Sequence, residues 1–126
     1  MIFDTNIFIY ADRGYPSAKE LLLQEGVRCI SAVTYMEYVP FCRNKKELKI
    51  FENLLSALNF QILEINAEIS LLARQYVKDF ALSHSVEMGD ALIAATARQT
   101  GLALCTSNVK HFKHFKHIEI VKFAPL

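Results

Sequence analysis

Glu87-Met88-Gly89-Asp90-Ala91-Leu92-Ile93-Ala94-Ala95-Thr96-Ala97 is the stretch from which the rest of the chain is read. Ala91, Ala94, Ala95 and Ala97 stand beside Leu92 and Ile93 with almost nothing polar between them, which predicts a buried helix. Ile93, Ala94 and Ala97 lie on the face that Asp90 begins, at i+3, i+4 and i+7. One carboxylate is therefore aimed along an apolar stripe, towards the core. An unpaired buried charge is very costly, so an acid in this setting needs a partner. The nearby helix N-terminus favours the anion. The small alanines let the helix pack closely, and Gly89 leaves room for a ligand or a neighbouring backbone. Taken alone, Asp90 reads as an acid capping its own helix. Other acids in the same predicament change that reading.

Outward from this helix, Gly101 is its stop, and Leu102 to Cys105 reads as a strand running into Thr106-Ser107-Asn108. Lys110 to His117 is a basic, aromatic turn or short helix, and Ile118 to Phe123 is a last strand. Upstream, Met1-Ile2-Phe3 is a short apolar strand ending at Asp4-Thr5-Asn6, followed by a turn or short helix over Ile7 to Tyr10. Pro16 to Gln24 is a helix, with Gly26 past its end, and Val27 to Ile30 a second strand. Ser31 or Thr34 caps a helix with Val33, Met36, Glu37 and Phe41 on one face, and Pro40 kinks or ends it. Asn44 caps a longer helix, with Glu47 at the capping-box position and Leu48, Phe51, Leu55 and Leu58 as its buried stripe. Phe60 to Ile65 is a third strand, and Asn66 caps a helix whose stripe is Ile69, Leu72, Ala73, Tyr76 and Phe80.

Strands alternating with helices predict an α/β layered architecture with a mostly parallel sheet, and no linker divides residues 1–126, so a single domain is expected. Ligand sites in such sheets form beyond the carboxyl ends of the strands, where strand order reverses. Asp4 and Asn108 both follow a predicted strand and belong on that edge. The net charge of +1 does not announce a nucleic-acid partner, which must then be held by a local patch or through metal. The odd, widely spaced Cys29, Cys42 and Cys105 fit a reducing cytosol and argue against a disulfide framework. Asp4 interrupts any leader-like N-terminus, and no apolar run approaches the ~20 residues of a membrane span, so a cytoplasmic protein with no membrane partner is expected.

Glu37 has Val33 and Phe41 at i−4 and i+4, and Thr34 and Pro40 at i−3 and i+3, with no Lys or Arg among them. Asp4 meets no basic residue before Arg13, and Asp90 is flanked by Met88, Gly89, Ala91 and Leu92. The economical resolution is that Asp4, Glu37 and Asp90 converge on one cation. Hard oxygen donors favour Mg²⁺ or Mn²⁺ over Zn²⁺. A metal so held serves phosphate-ester chemistry, lowering the pKa of a bound water and shielding transition-state charge. An aspartyl-phosphate phosphatase is another class with an acid after the first strand, but it needs a second Asp two residues on, where Asn6 stands.

Four segments, in order, resemble PIN-domain ribonucleases of the small kind found as the VapC toxin of toxin–antitoxin pairs. They are Ile2 to Ile7, Ser31 to Glu37, Gly89 to Ala97 and Leu104 to Phe112. The resemblance implies a PIN-like three-layer α/β/α sandwich. It implies a Mg²⁺- or Mn²⁺-dependent endoribonuclease that hydrolyses RNA phosphodiester bonds with a metal-activated water. Asp4, Glu37 and Asp90 would be its metal-binding acids, Thr5 or Asn6 would orient Asp4 and bound water, and Thr106 would support the site from the fourth strand. The family's fourth acidic position falls near Asn108, which offers a carbonyl oxygen but no charge. Glu87 reads first as an exposed helix-start glutamate and second as a source of that missing charge. An antitoxin partner and a homodimer are implied as well. The competing reading is a catalytically impaired PIN domain that binds RNA or protein.

In Lys110-His111-Phe112-Lys113-His114-Phe115-Lys116-His117, Lys110, Lys113 and Lys116 are candidates to grip RNA phosphates, with aromatics free to stack on bases. Equally, Phe112 and Phe115 are core and the polar residues a solvated face. The histidine repeat lacks the cysteine or downstream partner that a zinc site needs. Tyr10, Tyr15, Tyr35, Tyr38 and Phe41 either line a partner groove or complete the core.

Overall fold

The strands are short and apolar because three of them are covered on both faces. In a computed structural model, which describes residues 1–125, β1 (Ile2–Phe3), β2 (Cys29–Ser31) and β4 (Leu104–Thr106) have no residue more than 2% exposed. β3 (Gln61–Leu63) and β5 (Ile120–Lys122) form the partly exposed edges. All pairings are parallel, in the order β3-β2-β1-β4-β5. The order reverses between β1 and β4, where the main chains of α/β sheets diverge and leave a crevice.

Adjacent strand residues point to opposite faces, so each strand feeds two cores. Ile2, Cys29 and Leu104 join Ile69, Tyr76 and Ile93 on one side. Phe3, Ile30 and Cys105 join Phe8, Phe51 and Leu55 on the other. The first side is covered chiefly by α5 (Ala67–Phe80) and α6 (Met88–Thr100). The second is covered by α1 (Thr5–Asp12), α2 (Pro16–Leu23) and α4 (Lys45–Ala57). α3 (Ala32–Tyr38) sends Val33 to one core and Tyr35 to the rim of the other. The result is the expected three-layer α/β/α sandwich, with a sheet that is wholly parallel.

Local signals account for most boundaries. Ser31, not Thr34, caps α3, accepting from the Val33 amide at 3.0 Å. Asn44 and Asn66 cap α4 and α5, and Gly101 takes the left-handed φ of 72° that ends α6. Pro40 does not kink α3 but follows it, in a single 3₁₀ turn (Val39–Phe41). The capping box is altered: the Glu47 carboxylate accepts from the Arg43 amide at 2.9 Å, not from Asn44, and pairs with the Arg43 guanidinium. Two strands start later than expected and run one residue further, taking in Ser31 and Thr106. Both are fully buried polar residues whose hydroxyls find partners, the Val33 amide for Ser31 and Asp4 for Thr106, which hides them from a hydrophobic pattern. Ile7 to Tyr10 is helical, because Asp4 caps α1 through the Thr5 amide.

Candidate active site

Asp4 leaves β1 at the reversal point and is 4% exposed. Its Oδ1 accepts from the Thr5 amide at 2.8 Å, and its Oδ2 from the Thr106 hydroxyl at 2.7 Å. Thr106 ends β4, so these bonds join the two central strands across the crevice. The Thr106 oxygen in turn accepts from the Asn108 amide at 3.0 Å. The Thr5 hydroxyl donates to Glu37 Oε1 at 2.6 Å, with the buried Thr34 hydroxyl 3.3 Å from it. Thr5 therefore orients Asp4 with its main chain and Glu37 with its side chain. Asn6 makes no side-chain hydrogen bond among the described residues.

Gly89 turns out to serve a side chain, not a ligand or a neighbouring backbone. A Cβ built on it would lie 2.7 Å from Glu37 Oε2 and 3.5 Å from Val33 Cγ1. The bare helix surface at α6 is where the Glu37 carboxylate rests. Asp90, one residue on, is not without a counter-ion as its local sequence suggests. His111, from α7 (Val109–Phe112), places Nδ1 at 3.2 Å from Asp90 Oδ2. Twenty-one positions separate the two, so no helical spacing relates them. Glu87 is exposed at the N-cap of α6 and makes no capping bond. Asn108 makes no side-chain hydrogen bond among the described residues.

Burial pushes the Asp4 carboxyl up, against the pull of the Thr106 and Thr5 donors, and the charge on Glu37 adds to the rise. Asp90 is pushed up to about 6, first by burial and then by the charge on Asp4, with His111 opposing and Glu87 adding a little. Asp4 thus feels Glu37, held through Thr5, and its own charge acts on Asp90. Among the described residues, no three His, Cys, Asp or Glu groups are drawn in tightly enough to hold a metal ion as they stand. Each acid instead rests on a protein donor. The donor set still suits a hard divalent cation: oxygen ligands, mutually repelling, in a site whose burial makes their negative charge costly.

Lys110, Lys113 and Lys116 are exposed, while Phe112 and Phe115 are buried, so that segment is both core anchor and basic surface. The expected aromatic cluster divides. Tyr38 and Phe41 line an apolar groove of about 480 Å³ between α1, α2 and α4, and Tyr35 borders a second hollow beside β3. Tyr10 packs on Tyr15 and Phe123. Asp4, Glu37 and Asp90 line neither cavity.

A family profile described as PIN domain matches residues 1–118. The chain belongs to the PIN domain family. This PIN domain is 29% identical over 116 residues to "Ribonuclease VapC10" of Mycobacterium tuberculosis, covering 89% of this chain and 85% of that one. It is 28% identical over 118 residues to "tRNA(fMet)-specific endonuclease VapC" of Shigella flexneri, covering 88% of each. Among solved structures it superposes on a toxin–antitoxin complex from Klebsiella pneumoniae with a TM-score of 0.82 at 27% identity, covering 99% of this chain and 98% of that one. Among the described residues of this PIN domain, no helix is long and apolar enough to cross a membrane.

Of the residues the sequence singled out, Asp4, Thr5, Glu37, Asp90 and Thr106 come together at the reversal point. Asn108 joins them through its main chain. Thr34 and His111 were not anticipated there. Thr34 was read only as a possible cap, and His111 as part of a basic run and of a histidine repeat without the partners of a zinc site.

Proposed function

We propose that this PIN domain is a Mg²⁺- or Mn²⁺-dependent endoribonuclease and the toxin of a toxin–antitoxin pair. The observation that carries the reading is the pairing of the buried Asp4 with Asp90, whose carboxyl is raised by burial and then by the charge on Asp4. A structural domain gains nothing from such a pair, whereas a cation bound by it relieves both penalties. When bound, that cation supplies acidity to a water molecule and offsets charge on the scissile phosphate.

The protein's own groups then have distinct tasks. Asp4 and Asp90 are the ligands. Thr106 and the Thr5 amide hold Asp4 at a set angle, so that it does not swing to solvent. Glu37, fixed by Thr5 and seated on Gly89, keeps negative charge at the site and is the third acid available to cation or water. Asn108 is free to hydrogen-bond a phosphate oxygen or water. Lys110, Lys113 and Lys116 supply the phosphate contacts that a chain of low net charge otherwise lacks.

The relatives named as ribonucleases and the neighbour solved as a toxin–antitoxin complex support the role. The apolar groove between α1, α2 and α4 is the place we assign to an apolar antitoxin segment. Self-pairing, RNA as substrate, a cytoplasmic setting and a single domain over residues 1–126 belong to the same reading. Asn108 favours a second one, a domain that binds RNA or protein without cutting it. Cleavage of a mixed RNA pool by the purified protein decides between them, run with Mg²⁺, with Mn²⁺ and with chelator beside Asp90→Asn. Metal-dependent cutting lost in the variant is the expected result. No cutting under either metal at several salt concentrations would hand the lead to the binding module.

A further inference from the structure

We propose that His111 is a ligand of the cation site, adding a nitrogen donor that tilts the site from Mg²⁺ towards first-row transition ions. The inference rests on the cation reading of Asp4 and Asp90 and goes beyond it, since an all-oxygen site has a weaker bias of this kind.

The geometry is that of two neighbouring ligands. His111 Nδ1 lies 3.2 Å from Asp90 Oδ2. Donors at adjacent corners of an octahedron with bonds near 2.1 Å are roughly 3.0 Å apart. One cation can therefore meet both atoms with little movement of either. His111 is held in place by its neighbours: Phe112 is fully buried and Phe115 nearly so, which fixes the short α7 against the core. The ring itself is about half exposed, at 51%, and so has room to turn.

The chemistry is consistent at the level of protons. In the free protein Nδ1 is the atom that faces Asp90. A neutral imidazole can carry its proton on Nε2 instead, leaving the Nδ1 lone pair for a metal. His111 also lies three residues beyond Asn108, and its amide donates to the Asn108 carbonyl at 2.9 Å. It fills, with a nitrogen donor, the side of the crevice where Asn108 brings no charge. Mg²⁺ takes oxygen ligands almost exclusively, whereas affinity for a site containing imidazole rises from Mn²⁺ to Co²⁺.

The test is calorimetric titration of the intact protein with Mg²⁺, Mn²⁺ and Co²⁺, for the parent, His111→Ala, His111→Gln and Asp90→Asn. Thermal melts of the metal-free proteins serve as the folding control. The expected result is a loss of about tenfold or more in Co²⁺ affinity in both His111 variants. The loss should be smaller for Mn²⁺, with Mg²⁺ within about twofold of the parent. In the Mn²⁺-loaded parent, electron spin echo modulation should show a coupled ¹⁴N that His111→Ala removes. Equal losses for all three ions, no loss, or tighter binding in the variants would overturn the ligand role. Tighter binding would make His111 a counter-ion that the cation displaces. If the parent binds no ion, both this inference and the cation reading fall. If the parent binds and Asp90→Asn does not, the cation reading stands whatever His111 does.

Discussion

At the carboxyl ends of β1 and β4, both oxygens of Asp4 are gripped by donors at 2.7 and 2.8 Å. In the groove between α1, α2 and α4, Phe8, Leu22, Phe41, Ile50 and Leu54 offer an apolar surface with only Asp12, Lys19 and Glu47 for polar company. The first region places a few charged atoms accurately, using the ends of buried strands whose main chains cannot shift. The second spreads contact area over helices that are free to vary. Chemistry depends on positions, and recognition of an apolar segment depends on area. The neighbouring regions of one small domain can therefore tolerate very different substitutions.

The sharpest way to break this contrast is to remove charge at the strand ends. Asp4→Asn should lower RNA cleavage about 100-fold or more, the scale of losing one preorganised group from a transition state. Single-turnover cleavage with Mn²⁺ measures it, and a loss of only a few-fold would show that Asp4 is not part of the chemistry.

A smaller effect, of opposite sign, concerns stability. The Asp90 carboxyl is raised from 3.8 to about 6 in the folded protein. The folded state then binds that proton more tightly than the unfolded chain does. The associated stability is present in full below about pH 4 and is lost as pH rises through about 6. Asp90→Asn removes the penalty. In chelator at pH 7 it should be more stable than the parent by about 2 kcal/mol once solvent screening of this partly exposed group is allowed for, or roughly 7 °C in Tm. The difference should vanish near pH 4. Melting curves across that range check it, and an equal Tm at pH 7 would mean that His111 already neutralises Asp90.

Gly89→Ala sharpens the comparison further. Its Cβ would meet the Glu37 carboxylate at 2.7 Å, and Glu37 is a flexible side chain that can move aside. Folding should survive, helped by the better helix propensity of Ala, worth about 1 kcal/mol. Cleavage should fall about tenfold as Glu37 is pushed off Thr5, the scale of disturbing a supporting group. Unchanged cleavage would remove Glu37 from the site.

In the groove, charge has the reverse effect. Ile50 is 59% exposed there. Ile50→Lys should weaken binding of an apolar antitoxin segment by about tenfold, with the melt of the free protein as fold control. Binding titrations measure it, and unaltered affinity would place the partner elsewhere.

Much of this molecule was legible before any coordinates. The apolar alternation of strands and helices, the Asn caps at Asn44 and Asn66 and the stop at Gly101 are local signals, and the structure keeps them. What escaped was which partner each polar side chain takes. Ser31 and Thr106 look like strand-enders by hydropathy, yet both are buried inside strands because their hydroxyls find partners. Glu47 fits the capping-box pattern, yet its carboxylate turns to Arg43.

The sequence by itself determined the parallel α/β class and the acids that lack a local counter-ion. These follow from periodicity, turn chemistry and charge spacing, all of which act within a few residues. Only the tertiary structure decided that Thr106 holds Asp4, that Gly89 seats Glu37 and that His111 reaches Asp90. Those contacts cross from strand to strand or helix to helix, over separations at which the chain carries no periodic signal. The order of the strands, not the order of the residues, brings them to one crevice.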